Sequence, residues 1–219
     1  MSRLVLINPN SSVHTTAAMV ALAQREAGRI PVTGVSNAAA PALLTTPAEI
    51  ATAAAGVIEL GLAAAADGAS ALVIAAFGDP ALDELRERVG IPVFGIAESA
   101  FHAAAGHGRR FAIATITPNA ELLASFEQKA GRLGYAEQYA GAWVTPGHPA
   151  ELVHSAEALD AALAEAVRQS AEQGGAEAVI IGGGPLTGSA LRLQSRFDMP
   201  LIVPVAAATR DALAALNAG

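Results

Sequence analysis

Ala71-Leu72-Val73-Ile74-Ala75-Ala76-Phe77-Gly78-Asp79-Pro80-Ala81-Leu82 runs from a short apolar stretch into a turn and then a helix start. Val, Ile and Leu in sequence, without polar alternation, fit a strand covered on both faces, as in parallel sheets. The pattern returns as Ala178-Val179-Ile180-Ile181-Gly182-Gly183-Gly184-Pro185-Leu186-Thr187-Gly188-Ser189-Ala190-Leu191, with Gly183 standing 107 residues after Ala76 (183 − 76). Two more stretches keep step. Leu4 to Asn10 (LVLINPN) is echoed by Ala112 to Asn119 (AIATITPN), matching Pro9 to Pro118 at a spacing of 109. Gly90 to Ser99 (GIPVFGIAES) is echoed by Asp198 to Ala207 (DMPLIVPVAA), matching Pro92 to Pro200 at a spacing of 108. Three anchors in one order at nearly constant spacing read as a duplicated α/β unit of about one hundred residues.

Outward from these anchors, strands and helices alternate. Strands are expected at 3–7, 30–35, 71–75, 92–96, 111–116, 139–144, 178–181 and 201–203. Helices are expected from a Ser11 or Ser12 cap to Ala27, from Pro47 towards Gly68, from Asp79-Pro80 to Gly90, from Thr117-Pro118-Asn119 to Leu133, from Val153 to Gln173, after Gly182-Gly183-Gly184-Pro185, and from Ala206 to Leu216. The expected fold is α/β: two lobes related by a pseudo-twofold axis, each a mainly parallel four-stranded sheet flanked by helices, with a ligand cleft between them. The expected lobes are 1–97 plus 205–219, and 98–204.

Composition narrows the chemistry. The 219 residues contain no cysteine, which removes thiolate nucleophiles, Cys-ligated zinc, iron–sulfur clusters and disulfides. The net charge is −7, Lys129 is the single lysine, and the arginines are scattered, so nucleic acid is not an expected partner. No uninterrupted apolar run reaches the ~18 residues of a membrane span, and MSRLVLINPN does not read as a signal peptide. A cytoplasmic protein acting on a small molecule, without a membrane partner, is expected. Low charge and abundant alanine suit a homo-oligomer.

In open α/β sheets, ligands sit beyond the carboxyl ends of the strands. Four turns there stand out: Asn8-Pro9-Asn10-Ser11-Ser12, Ala76-Phe77-Gly78-Asp79, Thr115-Ile116-Thr117-Pro118-Asn119 and Gly182-Gly183-Gly184-Pro185. Each precedes a helix start, whose free N–H groups and positive dipole end favour an anion or a carbonyl. The expected binding residues are Asn10, Ser11, Ser12, Ala76, Phe77, Gly78, Thr115, Thr117, Gly183, Gly184, Pro185 and Thr187. Taken singly, most of them are ordinary helix caps. Three glycines at a strand end are more pointed, because they cost ordering entropy without adding packing.

Ile7-Asn8-Pro9-Asn10-Ser11-Ser12, Ala75-Ala76-Phe77-Gly78-Asp79-Pro80-Ala81-Leu82 and Gly95-Ile96-Ala97-Glu98-Ser99-Ala100-Phe101-His102-Ala103-Ala104 resemble the aspartate/glutamate/hydantoin racemase superfamily, closest to its hydantoin and allantoin racemases. The resemblance spans the chain. It implies two similar lobes, cofactor-free chemistry and frequent oligomers. It also implies a pair of cysteines, one per lobe, that remove a proton from one face of a carbon and return one to the other. Those positions hold Ala76 and Gly183 here, and neither side chain can carry a proton.

Candidates to replace the thiols are Glu98 and His102, one helical turn apart, with the carboxylate orienting the imidazole, and Asp79. Thr187 and Ser189 can hold a water; His14 and His148 are weaker candidates, and His107 and His154 read as surface residues. No spacing argues for a metal site. The expectation is a cysteine-independent enzyme acting on a hydantoin-like ring or small carboxylate by water-based chemistry, such as hydrolysis or desulfuration of a thiohydantoin. A racemase or isomerase using non-thiol bases, and a catalytically silent ligand-binding protein, are the alternatives.

Overall fold

The structure, a computed structural model, describes residues 2–44, 46–183 and 186–218, with only the backbone of residue 150. The chain divides into two compact units: Met1–Ser99 with Val205–Gly219, and Ala100–Pro204.

Unit 1 holds β1 (Leu4–Asn8), α1 (Val13–Ala27), β2 (Val32–Ser36), α2 (Pro47–Ala66), β3 (Ala71–Ile74), α3 (Leu82–Arg88) and β4 (Val93–Gly95). Its sheet runs β2-β1-β3-β4, parallel throughout. Every residue of β1 and β3 is buried, which is why these strands read as unbroken apolar runs. Val5, Ile7, Leu72, Ile74 and Val93 from the strands meet Val57, Leu82 and Leu85 from the helices in one core cluster. Local signals set the helix starts. The Ser12 side chain accepts the Thr15 N–H, and Thr46 with Glu49 makes a capping box ahead of Pro47. By length and composition α2 is apolar enough to cross a bilayer, with mean hydropathy 1.5, although Glu49, Thr52 and Glu59 interrupt its apolar run. It nonetheless buries Ala53, Val57, Ile58 and Gly61 within the unit.

Unit 2 holds β5 (Phe111–Thr115), α5 (Ala120–Arg132), β6 (Tyr139–Val144), α6 (Pro149–Leu152), α7 (Ala156–Glu172), β7 (Ala178–Ile181), α8 (Thr187–Leu193) and β8 (Leu201–Ile202). The order β6-β5-β7-β8, again parallel, reproduces that of unit 1. α4 (Ile96–Ala105) begins in unit 1 and runs into unit 2, and α9 (Pro204–Ala218) carries the chain back to unit 1.

The duplication is therefore real, and its spacing is sharper than the sequence suggested. β1 to β5, α1 to α5, β2 to β6 and β3 to β7 all begin 107 residues apart (111 − 4, 120 − 13, 139 − 32, 178 − 71). The match of Pro9 to Pro118 at 109 is a slip of two residues. The cap Ser12 corresponds to Asn119, which accepts the Leu122 N–H, so the position matching Asn10 is Thr117. Two other expectations shift. The long helix expected from Val153 starts at Ala156, because Ser155 caps it, and the four-residue α6 precedes it. The helix expected directly after Asp79-Pro80 waits until Leu82, because Asp79 and Ala81 both adopt positive φ, at 50° and 58°.

Candidate functional site

The carboxyl end of β1 is built around Asn8, which is fully buried. Its Nδ2 donates to Asn10 Oδ1 at 2.8 Å and to Thr16 Oγ1 at 2.9 Å, while its Oδ1 accepts the Asn10 N–H at 3.2 Å. Asn10 Oδ1 also accepts the Ser12 N–H at 2.9 Å. A backbone N–H can only donate, so this bond fixes which corner of the Asn10 amide is oxygen. Asn10 is only 8% exposed, and its Nδ2 donates to no described residue. The result is a side chain fixed at its oxygen, whose two N–H groups meet no acceptor among the described residues. Thr16 and Ser36 share a hydroxyl contact at 2.7 Å and complete the network. Sequence reasoning placed Asn8 in the first of the four turns but not among the binding residues, and passed over Thr16 and Ser36; an asparagine closing an all-apolar strand was the available signal.

Ser11 ties this turn to the segment between β2 and α2, its N–H donating to Pro41 O at 3.2 Å. After β3, Ala76 is half-buried and Phe77 is buried. The backbone N–H groups of Ala76 and Gly78 donate to no described residue, whereas Ala76 O accepts the Asp79 N–H at 2.9 Å. Gly78 passes close to α2: a Cβ there would sit 2.9 Å from Ile50.

Asp79 has a structural task. Oδ1 accepts the Ala97 N–H at 2.9 Å and Oδ2 the Glu98 N–H at 2.8 Å, so this carboxylate caps α4 from a distance. It does not cap the helix that follows it, as Asp79-Pro80 had suggested. Gly95 leaves the room; a Cβ at Gly95 would collide with the Asp79 carboxyl.

Glu98 and His102 do not form the expected orienting pair. Arg86 grips Glu98 with two bonds, Nη2 to Oε1 at 2.6 Å and Nη1 to Oε2 at 3.2 Å, and donates from Nε to Val93 O. This hydrogen bond to Glu98 raises the pKa of the Arg86 guanidinium, against the opposing effect of burial. In unit 2, the exposed His102 takes Tyr135 instead, Nδ1 to hydroxyl at 2.7 Å. The two side chains therefore serve different neighbours despite their helical spacing.

Unit 2 places Thr115 at the end of β5, where its hydroxyl accepts the Thr117 N–H at 3.4 Å. Nearby on β6 and just beyond it, Trp143 Nε1 and Thr145 Oγ1 are buried with no hydrogen-bond partner among the described residues. Gly183 follows β7 with φ +128°, a conformation that side-chain-bearing residues rarely adopt. Gly184 and Pro185 lie outside the described residues. Thr187 is buried in the first turn of α8, and the Ser189 hydroxyl accepts from Arg192 at 3.1 Å. Arg192 also clasps Asp160 at 2.6 and 2.8 Å, and this hydrogen bond pulls the Asp160 pKa below its ordinary value, with burial acting the other way. His14, His107, His148 and His154 are exposed. Among the described residues, no three His, Asp or Glu side chains are grouped as metal ligands would need.

Comparison with known proteins places these motifs. The family described as Asp/Glu/Hydantoin racemase matches residues 4–212. A hydantoin racemase of Paenarthrobacter aurescens is 31% identical over 216 residues, covering 96% of this chain and 89% of the relative. A hydantoin racemase of Rhizobium meliloti is 30% identical, covering 98% of this chain and 88% of the relative. Among solved structures, an allantoin racemase from Klebsiella pneumoniae is similar with TM-score 0.92 at 28% identity, covering 100% of this chain and 89% of the other. An unliganded arylmalonate decarboxylase, at TM-score 0.67 and 16% identity, covering 100% of this chain and 94% of the other, shares the fold.

Proposed function

Because the chain belongs to the Asp/Glu/hydantoin racemase family, we propose that it binds a hydantoin-type ring and exchanges the proton on the ring carbon next to the carbonyl, using water in place of thiols. The relatives named for hydantoin and allantoin supply the ring class. They are named for racemisation, so proton exchange takes precedence over the hydrolysis or desulfuration considered from sequence alone.

The observation that carries this reading is the pinned Asn10 amide at the end of β1, whose Nδ2 donates to none of the described residues. Removing the ring-carbon proton puts negative charge on the neighbouring carbonyl oxygen. Fixed N–H donors that meet that oxygen stabilise the charge as it forms. Unit 1 offers Asn10 Nδ2 and the unused backbone N–H groups of Ala76 and Gly78. Ala76 and Gly183 carry no proton-transfer group, so water accepts the proton and water returns it. Only the C–H bond breaks and reforms, and nothing is oxidised. A positioned acid or base contributes about 10²–10⁴-fold, so turnover is slow by roughly that factor against a thiol-bearing enzyme.

The test follows one enantiomer of a 5-substituted hydantoin in deuterated water, reading deuterium at the ring carbon by NMR and optical activity by polarimetry. Exchange above the buffer rate is expected. Asn10→Asp keeps the oxygen that accepts from Ser12 and loses both donors, so it is expected to suppress exchange. Binding without exchange would instead establish a silent ligand-binding protein, the reading that the loss of both proton carriers favours. No binding of any hydantoin overturns the proposal.

A further inference from the structure

We infer that a cavity on unit 2, walled by Ala161, Ala164 and Arg168 of α7 and by Arg196, Phe197 and Asp198, is a second ligand site that takes a free amino acid with an apolar side chain. The cavity measures about 510 Å³, within the range of small-molecule sites. It shares no residue with the turns that carry the ring-binding reading. Ala161, Ala164 and Arg168 recur at spacings of three and four, so they stand on one face of the helix. Arg196, Phe197 and Asp198 follow α8 and lead towards β8.

Both walls are held by bonds already made. Arg192 of α8 clasps Asp160 of α7 at 2.6 and 2.8 Å, directly beside Ala161. Gln194 Nε2 donates to Leu201 O at 3.2 Å, and the Val179 N–H donates to Pro200 O at 3.0 Å, which pins both ends of the segment carrying Arg196, Phe197 and Asp198. The charges here divide into spent and unspent. Asp160 is taken by Arg192, and Glu165 by Arg168, whose Nε and Nη2 both reach Oε2. The exposed guanidinium of Arg196 and the exposed carboxylate of Asp198 bond to no described residue. One unspent cation and one unspent anion, two positions apart in the chain, match a ligand that carries both charges on one carbon. Arg196 offers a planar fork to the carboxylate, and Asp198 accepts from the ammonium. The half-buried ring of Phe197, with the Ala161 and Ala164 methyls, covers an apolar side chain. A bare dianion would meet the charge of Asp198. A neutral apolar ligand would strip water from both charges and return no bond to either.

NMR titration of the full-length protein with phenylalanine, 3-phenylpropanoate, 2-phenylethylamine and glycine tests this, with the backbone amide signals of residues 161–168 and 196–198 reporting the site. Phenylalanine is expected to shift these signals to saturation. The two analogues with a single charge are each expected to bind about fivefold more weakly, the worth of one partly exposed ion pair. Glycine lacks the apolar side chain and is expected to bind about tenfold more weakly. Arg196→Gln is expected to weaken phenylalanine and phenylpropanoate about fivefold and to leave phenylethylamine unchanged. Asp198→Asn is expected to weaken phenylalanine and phenylethylamine by a similar factor and to leave phenylpropanoate unchanged. Both residues are exposed, so thermal midpoints equal to that of the unaltered protein show that the variants fold. No saturable shift at these residues, equal binding of the four compounds, or unchanged phenylalanine binding in both variants overturns the inference. A protein that binds no phenylalanine and changes its subunit count in Arg196→Gln uses this face to contact a second copy of the chain, which overturns the inference as well.

Discussion

The carboxylate of Asp79 accepts the backbone N–H of Glu98 at 2.8 Å, fastening the loop after β3 to the first turn of α4. Its other oxygen takes Ala97, so both oxygens of this buried side chain are committed to a helix start. Asp79→Asn replaces one acceptor by an N–H pair that must face a backbone N–H. The expected loss is about 2 kcal/mol, the cost of leaving buried donors without acceptors, read from urea unfolding. An unchanged unfolding midpoint would show that the cap is dispensable.

Ala76 and Gly183 are not equivalent sites for restoring a thiol. Gly183 alone has a positive φ, at +128°. Gly183→Cys is therefore expected to lose on the order of 1–3 kcal/mol, while Ala76→Cys keeps the parent stability. Ala76→Cys is further expected to speed ring-proton exchange, with a rate that rises with pH through the thiol range near ~8.5. Equal thermal midpoints for the two variants would contradict the asymmetry.

Glu98→Gln separates stability from chemistry. Removing the charge that Arg86 grips is expected to cost about 1 kcal/mol, since the pair is partly exposed, with side chains 35% and 22% accessible. Exchange kinetics are expected to stay within about twofold. A collapse in kcat at unchanged stability would return Glu98 to the chemistry.

Acid stability reports the Asp160–Arg192 clasp. A carboxyl whose folded pKa lies below its unfolded value stabilises the protein above the unfolded pKa, and the contribution disappears as pH falls through the folded one. The difference between the parent protein and Asp160→Asn is thus expected to be full above about pH 4 and to shrink below it. Arg192 is half exposed, which limits the difference to about 1 kcal/mol. Denaturant midpoints across the acid range measure it, and a gap that persists to the lowest pH would remove the clasp as its cause.

The strands were legible because parallel sheets bury both faces: β1, β3, β5 and β7 all showed as apolar runs. The caps Ser12 and Asn119 and the pair Thr46 and Glu49 were equally local signals. What escaped was set by tertiary partners. Nothing near Asp79 in sequence announces a helix beginning at residue 96, and nothing near Glu98 announces Arg86. Helical spacing suggested that Glu98 and His102 meet, but each had a better partner on another element. The unused Nδ2 of Asn10 follows from Asn8 and Ser12 occupying the opposite corner of its amide, a relation no spacing rule contains.

α9 belongs with the unit whose strands are made first, and an ion pair between Arg210 and Glu26 at 2.8 Å spans that gap in the chain. On a ribosome, residues 100–204 are translated between the two parts of unit 1. At ordinary elongation rates this separates them by roughly 5–20 s. Unit 2 emerges as one uninterrupted piece and can collapse as it is made, while unit 1 waits with the surface that α9 will cover still open. The nascent protein is therefore most vulnerable to aggregation and proteolysis in its earlier-made half.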